Sequence, residues 1–169
     1  MFDRAEARID LDRIKSNIKH LKGFSNTPVM AVVKADAYGH GLVPVAKAAL
    51  DAGASSLGVA LLEEAITLRE AGITAPILAW LVPPGSDYKL AVDNQIELAA
   101  SSIKALEEIG AVKSEFRPRV HLEVDTGMTR GGFLGEWGKI DGHHVANLDV
   151  VGIFSHFARA DEPGEKQNE

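Results

Sequence analysis

The stretch AVVKADAYGHG, residues 31–41, sets Lys34 at the end of an apolar run and follows it with small residues, Tyr38, Gly39 and Gly41. A lysine at the end of a buried strand loses hydration unless its charge is paired or neutralised. Capture of an aldehyde cofactor as a Schiff base would satisfy it, and burial favours the neutral amine that must attack. A lysine whose stem follows the strand while its ammonium reaches solvent fits the position equally well. Other polar or aromatic residues stand at the ends of later apolar runs. Trp80 closes PILAW, Glu123 and Asp125 lie in and just after RVHLEV, Arg130 lies in the loop beyond, and His156 follows VVGIF.

The elements that must position these residues alternate along the chain. Leu11, Ile14, Ile18 and Leu21 recur at helical spacing, with Asp10 as N-cap and Gly23 as stop. Val29–Val33 reads as a buried strand; a stripe from Leu42 to Leu50, ended by Gly53, reads as a helix. The alternation continues with a strand at Ser56–Ala60, a helix over Leu62–Leu68 stopped at Gly72, and a strand at Pro76–Trp80. A short helix near Ser86–Val92 precedes a strand at Ile96–Ala100, and Ile103, Leu106, Ile109 and Val112 predict the next helix. A fifth strand at Arg119–Val124, a short helix at Leu134–Ile140, a sixth strand at Val150–Phe154 and a loose polar tail, DEPGEKQNE, complete the reading. His143 and His144 fall between elements and read as solvated loop residues.

Strand then helix, repeated, implies an α/β fold with parallel strands and right-handed crossovers. The strands are continuous apolar runs, as strands buried on both faces should be. An open doubly wound sheet and a (β/α)8 barrel both fit. No glycine-rich fingerprint follows the first strand, which weakens dinucleotide binding. A barrel wants eight strands and typically about 250 residues, so six strands in 169 residues read as a partial (β/α)8 TIM barrel of about six β/α units. In a barrel the C-terminal strand ends share the face that carries active sites, which is where Lys34, Trp80, Glu123, Asp125 and His156 fall.

Composition bounds the function. The chain is 46% hydrophobic and 25% charged with a formal net charge of −6, which argues against nucleic acid or an anionic membrane as partner. There is no cysteine, so disulfides and thiolate metal sites are excluded. The N-terminus MFDRAEARID mixes in charge and lacks a signal-peptide core. No run approaches the ~20 apolar residues of a membrane span, and the expected compartment is the cytoplasm.

The lysine motif AVVKADAYGHG is similar to that of the pyridoxal-phosphate-dependent alanine racemase family. The resemblance extends to HLEVDTGMTRGG at 121–132, to GIFSHFARADE at 152–162, and to RIDLDRIKSNI, which looks like the family's first strand and helix. It implies that Lys34 holds pyridoxal 5'-phosphate and serves as the base on one face of the substrate Cα. Tyr38 would hydrogen-bond the phosphate, with Gly39 and Gly41 letting the backbone turn. Arg130 would face the cofactor's phenolic oxygen and the substrate carboxylate, His156 would pack against the ring, and Trp80 could line the pocket. Family members often carry a carbamylated lysine where this chain has Glu123. The glutamate supplies the same charge on a shorter arm and would orient Arg130 by a charge-assisted bond, with Asp125 in support.

The resemblance also implies parts not found in this sequence. The family draws most phosphate contacts from loops after strands seven and eight. Its second base is a tyrosine of the partner subunit's C-terminal β-domain. Of the two tyrosines here, Tyr38 has its phosphate role and Tyr88 lies outside any matching motif. The 169 residues are therefore expected to be the N-terminal part of the cofactor-binding barrel, lacking the remaining strands and the β-domain. Open strand edges should make such a piece associate or leave it marginally stable. By itself it should be inactive; full-length, it would be a homodimer interconverting L- and D-alanine for peptidoglycan. A racemase for another amino acid, a related lyase, and a non-catalytic pyridoxal-phosphate carrier are the alternatives.

Overall fold

The computed structural model describes residues 5–24 and 27–166. The elements run α1 (Leu11–Phe24), β1 (Met30–Val32), α2 (Lys34–Gly39), α3 (Leu42–Asp51), β2 (Ser56–Val59), α4 (Leu62–Glu70) and β3 (Ile77–Ala79). Then follow α5 (Tyr88–Asp93), β4 (Glu97–Ala100), α6 (Ile103–Gly110), β5 (Arg119–Glu123), a 3-10 turn (Trp137–Lys139), α7 (Gly142–Val145) and β6 (Asp149–Phe154). The six strands form one sheet in the order β1-β2-β3-β4-β5-β6. The pairs β1–β2, β3–β4, β4–β5 and β5–β6 are all parallel, so the α/β reading holds. The chain divides into two compact units, residues 1–77 and 78–169.

In the first unit, α1 starts where expected: the Asp10 carboxylate accepts the N–H groups of Asp12 and Arg13 at 3.1 and 3.2 Å. Gly23 does not stop it, since the helix continues to Phe24, and residues 5–10 form no strand. β1 is shorter than the expected Val29–Val33 and only partly buried: Val32 is 55% exposed, while Val33 is buried. α3 buries Val45, Ala46 and Ala49 on one face. Gly53 and Gly72 end their helices at positive φ, which costs a glycine no Cβ clash.

In the second unit, β4 is buried along its length, and Leu98, Leu106, Ile109 and Val120 are sealed from solvent; each such side chain contributes roughly 1.5–3 kcal/mol. α6 ends at Gly110, two residues short of the expected Val112. The helix expected at Leu134–Ile140 shrinks to the 3-10 turn, because Gly135 adopts φ +70 and breaks the run. His143 and His144 lie in α7 rather than in a loop, because the Asp141 carboxylate caps both of their N–H groups. β6 carries exposed apolar residues, with Ile153 62% exposed and Phe157, just beyond it, 61%. The tail makes turns in which Arg159 pairs with Glu162 and Glu165; residues 167–169 lie outside the described part.

The N-terminal strand ends of this unit carry a charge network absent from the sequence reading. Glu97 is 4% exposed. Its Oε1 accepts from Arg119 Nη2 at 2.8 Å and its Oε2 is 2.8 Å from His121 Nε2. Burial by itself would raise the Glu97 pKa, but the bonds from His121 and Arg119 outweigh it and hold the carboxyl below its ordinary value. The β5–β6 register slips between Val120 and His121, which sets Gly152 opposite His121. A Cβ on Gly152 would run into the imidazole, with Cε1 at 2.8 Å.

Candidate active site

Lys34 follows β1 directly, and Val33 anchors the strand end by donating its N–H to the Gly58 carbonyl at 2.9 Å. The chain then makes a turn of the uncommon hand. Ala35, Asp36, Ala37 and Tyr38 take φ between 51 and 55 and ψ between 37 and 50. Left-handed backbone costs about 1–2 kcal/mol for each residue with a Cβ, so outside bonds must hold it. Ala37 N–H returns to the Val33 carbonyl at 2.9 Å, and Gly41 N–H donates to the Asp36 carbonyl at 3.0 Å. Asp36 Oδ1 accepts the Leu42 N–H at the start of α3 at 2.7 Å. Gly39 and Gly41 close the turn at φ 81 and 94, as their glycine identity requires.

The turn brings Lys34 and Tyr38 together. The Lys34 ammonium sits 5.6 Å from the centre of the Tyr38 ring, within cation–π range. Among the described residues no carboxylate lies within ion-pairing distance of Lys34, which is half-buried, and Tyr38 is 72% exposed. The amine is thus held by geometry, with no acid partner among the described residues.

In the second unit, β5 delivers Glu123 to its C-terminal end, and the loop 125–132 folds back over it. Asp125 Oδ1 accepts the N–H groups of Gly127 and Thr129 at 2.9 and 3.0 Å. Backbone bonds, from Thr129 first and then Gly127, hold Asp125 below its ordinary pKa against burial. Phe133 N–H then donates to the Glu123 carbonyl at 3.0 Å. Both glycines of the TRGG segment are needed for this return. A Cβ on Gly131 would stand 2.9 Å from Glu123 Oε2. One on Gly132, at φ +104, would strike the Asp125 N–H and stand 2.9 Å from the Val124 carbonyl carbon.

Glu123, Asp125, Thr126, Met128, Arg130 and His156 line one pocket. Burial raises the Glu123 pKa, the positive charges of Arg130 and His156 partly oppose this, and Asp125 adds to the rise. The expected direct bond from Glu123 to Arg130 is absent: no ion pair joins them among the described residues, and the glutamate acts on the guanidinium through space. The return of the TRGG segment, in which Phe133 N–H donates to the Glu123 carbonyl, sets where Arg130 stands. Arg130 and His156 are both exposed.

The second unit therefore gathers Glu123, Asp125, Arg130 and His156, and the first gathers Lys34 and Tyr38. Trp80, half-buried beyond β3, belongs to neither group. Tyr88 opens α5, the short helix expected near Ser86–Val92. It donates its hydroxyl to the Val82 carbonyl at 3.2 Å, and burial first, then the Glu108 charge, push its pKa up to about 12. It is a structural hydroxyl. Sequence reasoning missed Glu64, whose carboxylate reaches Ala35 at 2.5 Å; the only local signal was an acidic residue in the first turn of a helix.

Comparison with known proteins places these motifs. The family profile described as "Alanine racemase, N-terminal domain" matches residues 9–169. The alanine racemase of Salinispora tropica is 49% identical over 169 residues, 95% of this chain and 45% of that protein. The crystal structure of alanine racemase from D-cycloserine-producing Streptomyces lavendulae superposes with a TM-score of 0.90 at 41% identity, covering 95% of this chain and 44% of that one. A histidine racemase from Leuconostoc mesenteroides gives a TM-score of 0.82 at 31% identity, covering 94% of this chain and 44% of that chain. The chain thus spans a little under half the length of the relatives it matches.

Proposed function

The chain belongs to the alanine racemase family, and from that premise we propose that it is the cofactor-bearing, N-terminal part of a pyridoxal-phosphate-dependent racemase acting on alanine in the cytoplasm. The observation that carries this reading is Lys34: an amine with no carboxylate partner among the described residues, fixed beside Tyr38 by a left-handed turn at a strand end. The donors of each unit suit parts of the cofactor. An amine suits its aldehyde, a phenolic hydroxyl and a guanidinium suit its anionic groups, and an exposed imidazole suits its ring.

When bound, the cofactor would take up the charge that develops when Cα loses its proton. This chain's residues do the rest. Lys34 holds the cofactor and moves the proton at one face of Cα. Tyr38 would bind the phosphate, Arg130 would orient the substrate carboxylate, and His156 would support the ring. Glu123 and Asp125 keep the loop carrying Arg130 in place. Alanine is favoured as substrate because alanine racemases share 49% of the sequence; the histidine racemase at 31% marks the same scaffold serving a larger side chain. The base for the opposite face is not among this chain's tyrosines, since the Tyr88 hydroxyl is engaged and Tyr38 is given to the phosphate. We assign it to the second subunit of a homodimer.

One-sided chemistry has a measurable consequence. In deuterium oxide with pyridoxal phosphate, this chain is expected to exchange the α-proton of one alanine enantiomer while interconverting the two little or not at all. Lys34→Ala should exchange neither. Equal exchange of both enantiomers, or exchange surviving Lys34→Ala, would contradict the assignment.

A further inference from the structure

The first amide of the left-handed turn, that of Ala35, is not held by the turn itself. It donates to Glu64 Oε1 at 2.5 Å, from a residue 29 positions away. The other oxygen of the same carboxylate, Oε2, accepts the N–H groups of Ala60 and Leu61, each at 3.0 Å. One carboxylate thus ties the backbone next to Lys34 to the start of α4. The other bonds of the turn run within the segment or forward to Gly41 and Leu42. None of them ties the turn to α4.

We propose that Glu64 is a positioning residue for Lys34. By fixing the Ala35 amide it holds four residues in their left-handed conformation and aims the Lys34 side chain along the Tyr38 ring. Glutamine offers only one acceptor oxygen for the two directions of bonding, and aspartate is one methylene too short. The inference rests on the reading of Lys34 as the cofactor-holding amine. Its competitor is a carboxylate that only caps α4. The two roles separate because glycine adopts positive φ without a Cβ clash. If Glu64 serves to hold a strained turn, glycine at Ala35 and Ala37 should compensate for its loss. If it only caps α4, changes in α2 should repair nothing.

The test compares the full chain with Glu64→Ala, with Glu64→Ala carrying Ala35→Gly and Ala37→Gly, and with Lys34→Ala. Amide hydrogen exchange is followed without cofactor, and the rate of pyridoxal-phosphate capture by visible absorbance. Glu64→Ala is expected to speed exchange at Ala37, whose amide bonds within the turn, by at least ~10-fold and to slow capture by on the order of 10-fold. The glycine pair should bring capture back to within about threefold of wild type, since it removes the strain. Should Glu64→Ala not fold, Glu64→Gln takes its place, with the same signs and smaller sizes. Wild-type exchange and capture in the Glu64 variant, or a loss the glycines leave unrepaired, would overturn the proposal. Full capture by Lys34→Ala would instead overturn the reading of Lys34 itself, and the inference with it, whatever the exchange data show.

Discussion

Glu97→Ala is expected to lower the folding stability of this chain by about 3 kcal/mol, the low end of the cost of breaking a buried ion pair. The substitution removes the buried acceptor shared by Arg119 and His121. Arg119 is 47% exposed along its side chain, recovers part of its hydration and keeps Asp149 at 3.7 Å, which keeps the loss from being larger. Glu97→Gln preserves shape and one acceptor and should cost less, about 1–2 kcal/mol. The pH dependence has a definite sign. The folded-state pKa of Glu97 lies below its ordinary value, so its contribution is present above the unfolded-state pKa and is lost as pH falls through the depressed folded value. Urea unfolding should therefore show wild type and Glu97→Gln far apart at neutral pH and converging in acid. A gap independent of pH would show that the charge is not what the network uses. Gly152→Ala attacks the same network through His121, so the two losses should combine to less than their sum.

Gly132→Ala is expected to have the largest effect near the proposed chemistry. The position needs φ +104, and its Cβ would meet the backbone of Val124 and Asp125. Backbone cannot rotate aside as a side chain can. The strained conformation costs on the order of 1–3 kcal/mol, and the loop relieves it by lifting off the end of β5. Arg130 moves with the loop. A displacement of roughly 1 Å at a positioning group can reduce turnover about 100-fold. In the longest natural polypeptide carrying this chain, racemisation should fall by that order while Lys34 still captures pyridoxal phosphate. Gly138→Ala, where nothing lies near the added carbon, is the control. Equal activity of the two variants would mean that the 125–132 loop is not part of the site.

The strands were readable because each is a largely apolar run closed by turn residues, and all six begin and end within one residue of the expected bounds. The helix expected at Leu134–Ile140 failed because its apolar spacing is helical while Gly135 is not. The hand of the Lys34 turn could not be read locally. Ala35 and Ala37 favour right-handed helix, and the partner that fixes the first amide is Glu64, 29 residues on. Glu97 was equally hidden, since its partners Arg119 and His121 stand 22 and 24 residues away and a lone glutamate in an apolar run carries no sign of them. The gathering of Glu123, Asp125, Arg130 and His156 was visible as a pattern of strand ends. The separation of Glu123 from Arg130 was not, because it depends on how the TRGG backbone folds back.

The most direct measurement of the central claim is chemical mapping of the cofactor-holding lysine. The chain is incubated with pyridoxal phosphate, the adduct is fixed by borohydride reduction, and the modified peptide is identified by mass spectrometry. We expect the label on Lys34, on the peptide that contains AVVKADAYGHG, and its loss from that peptide in Lys34→Ala. A label spread over exposed lysines such as Lys89 and Lys104, with Lys34 unmodified, would contradict the account.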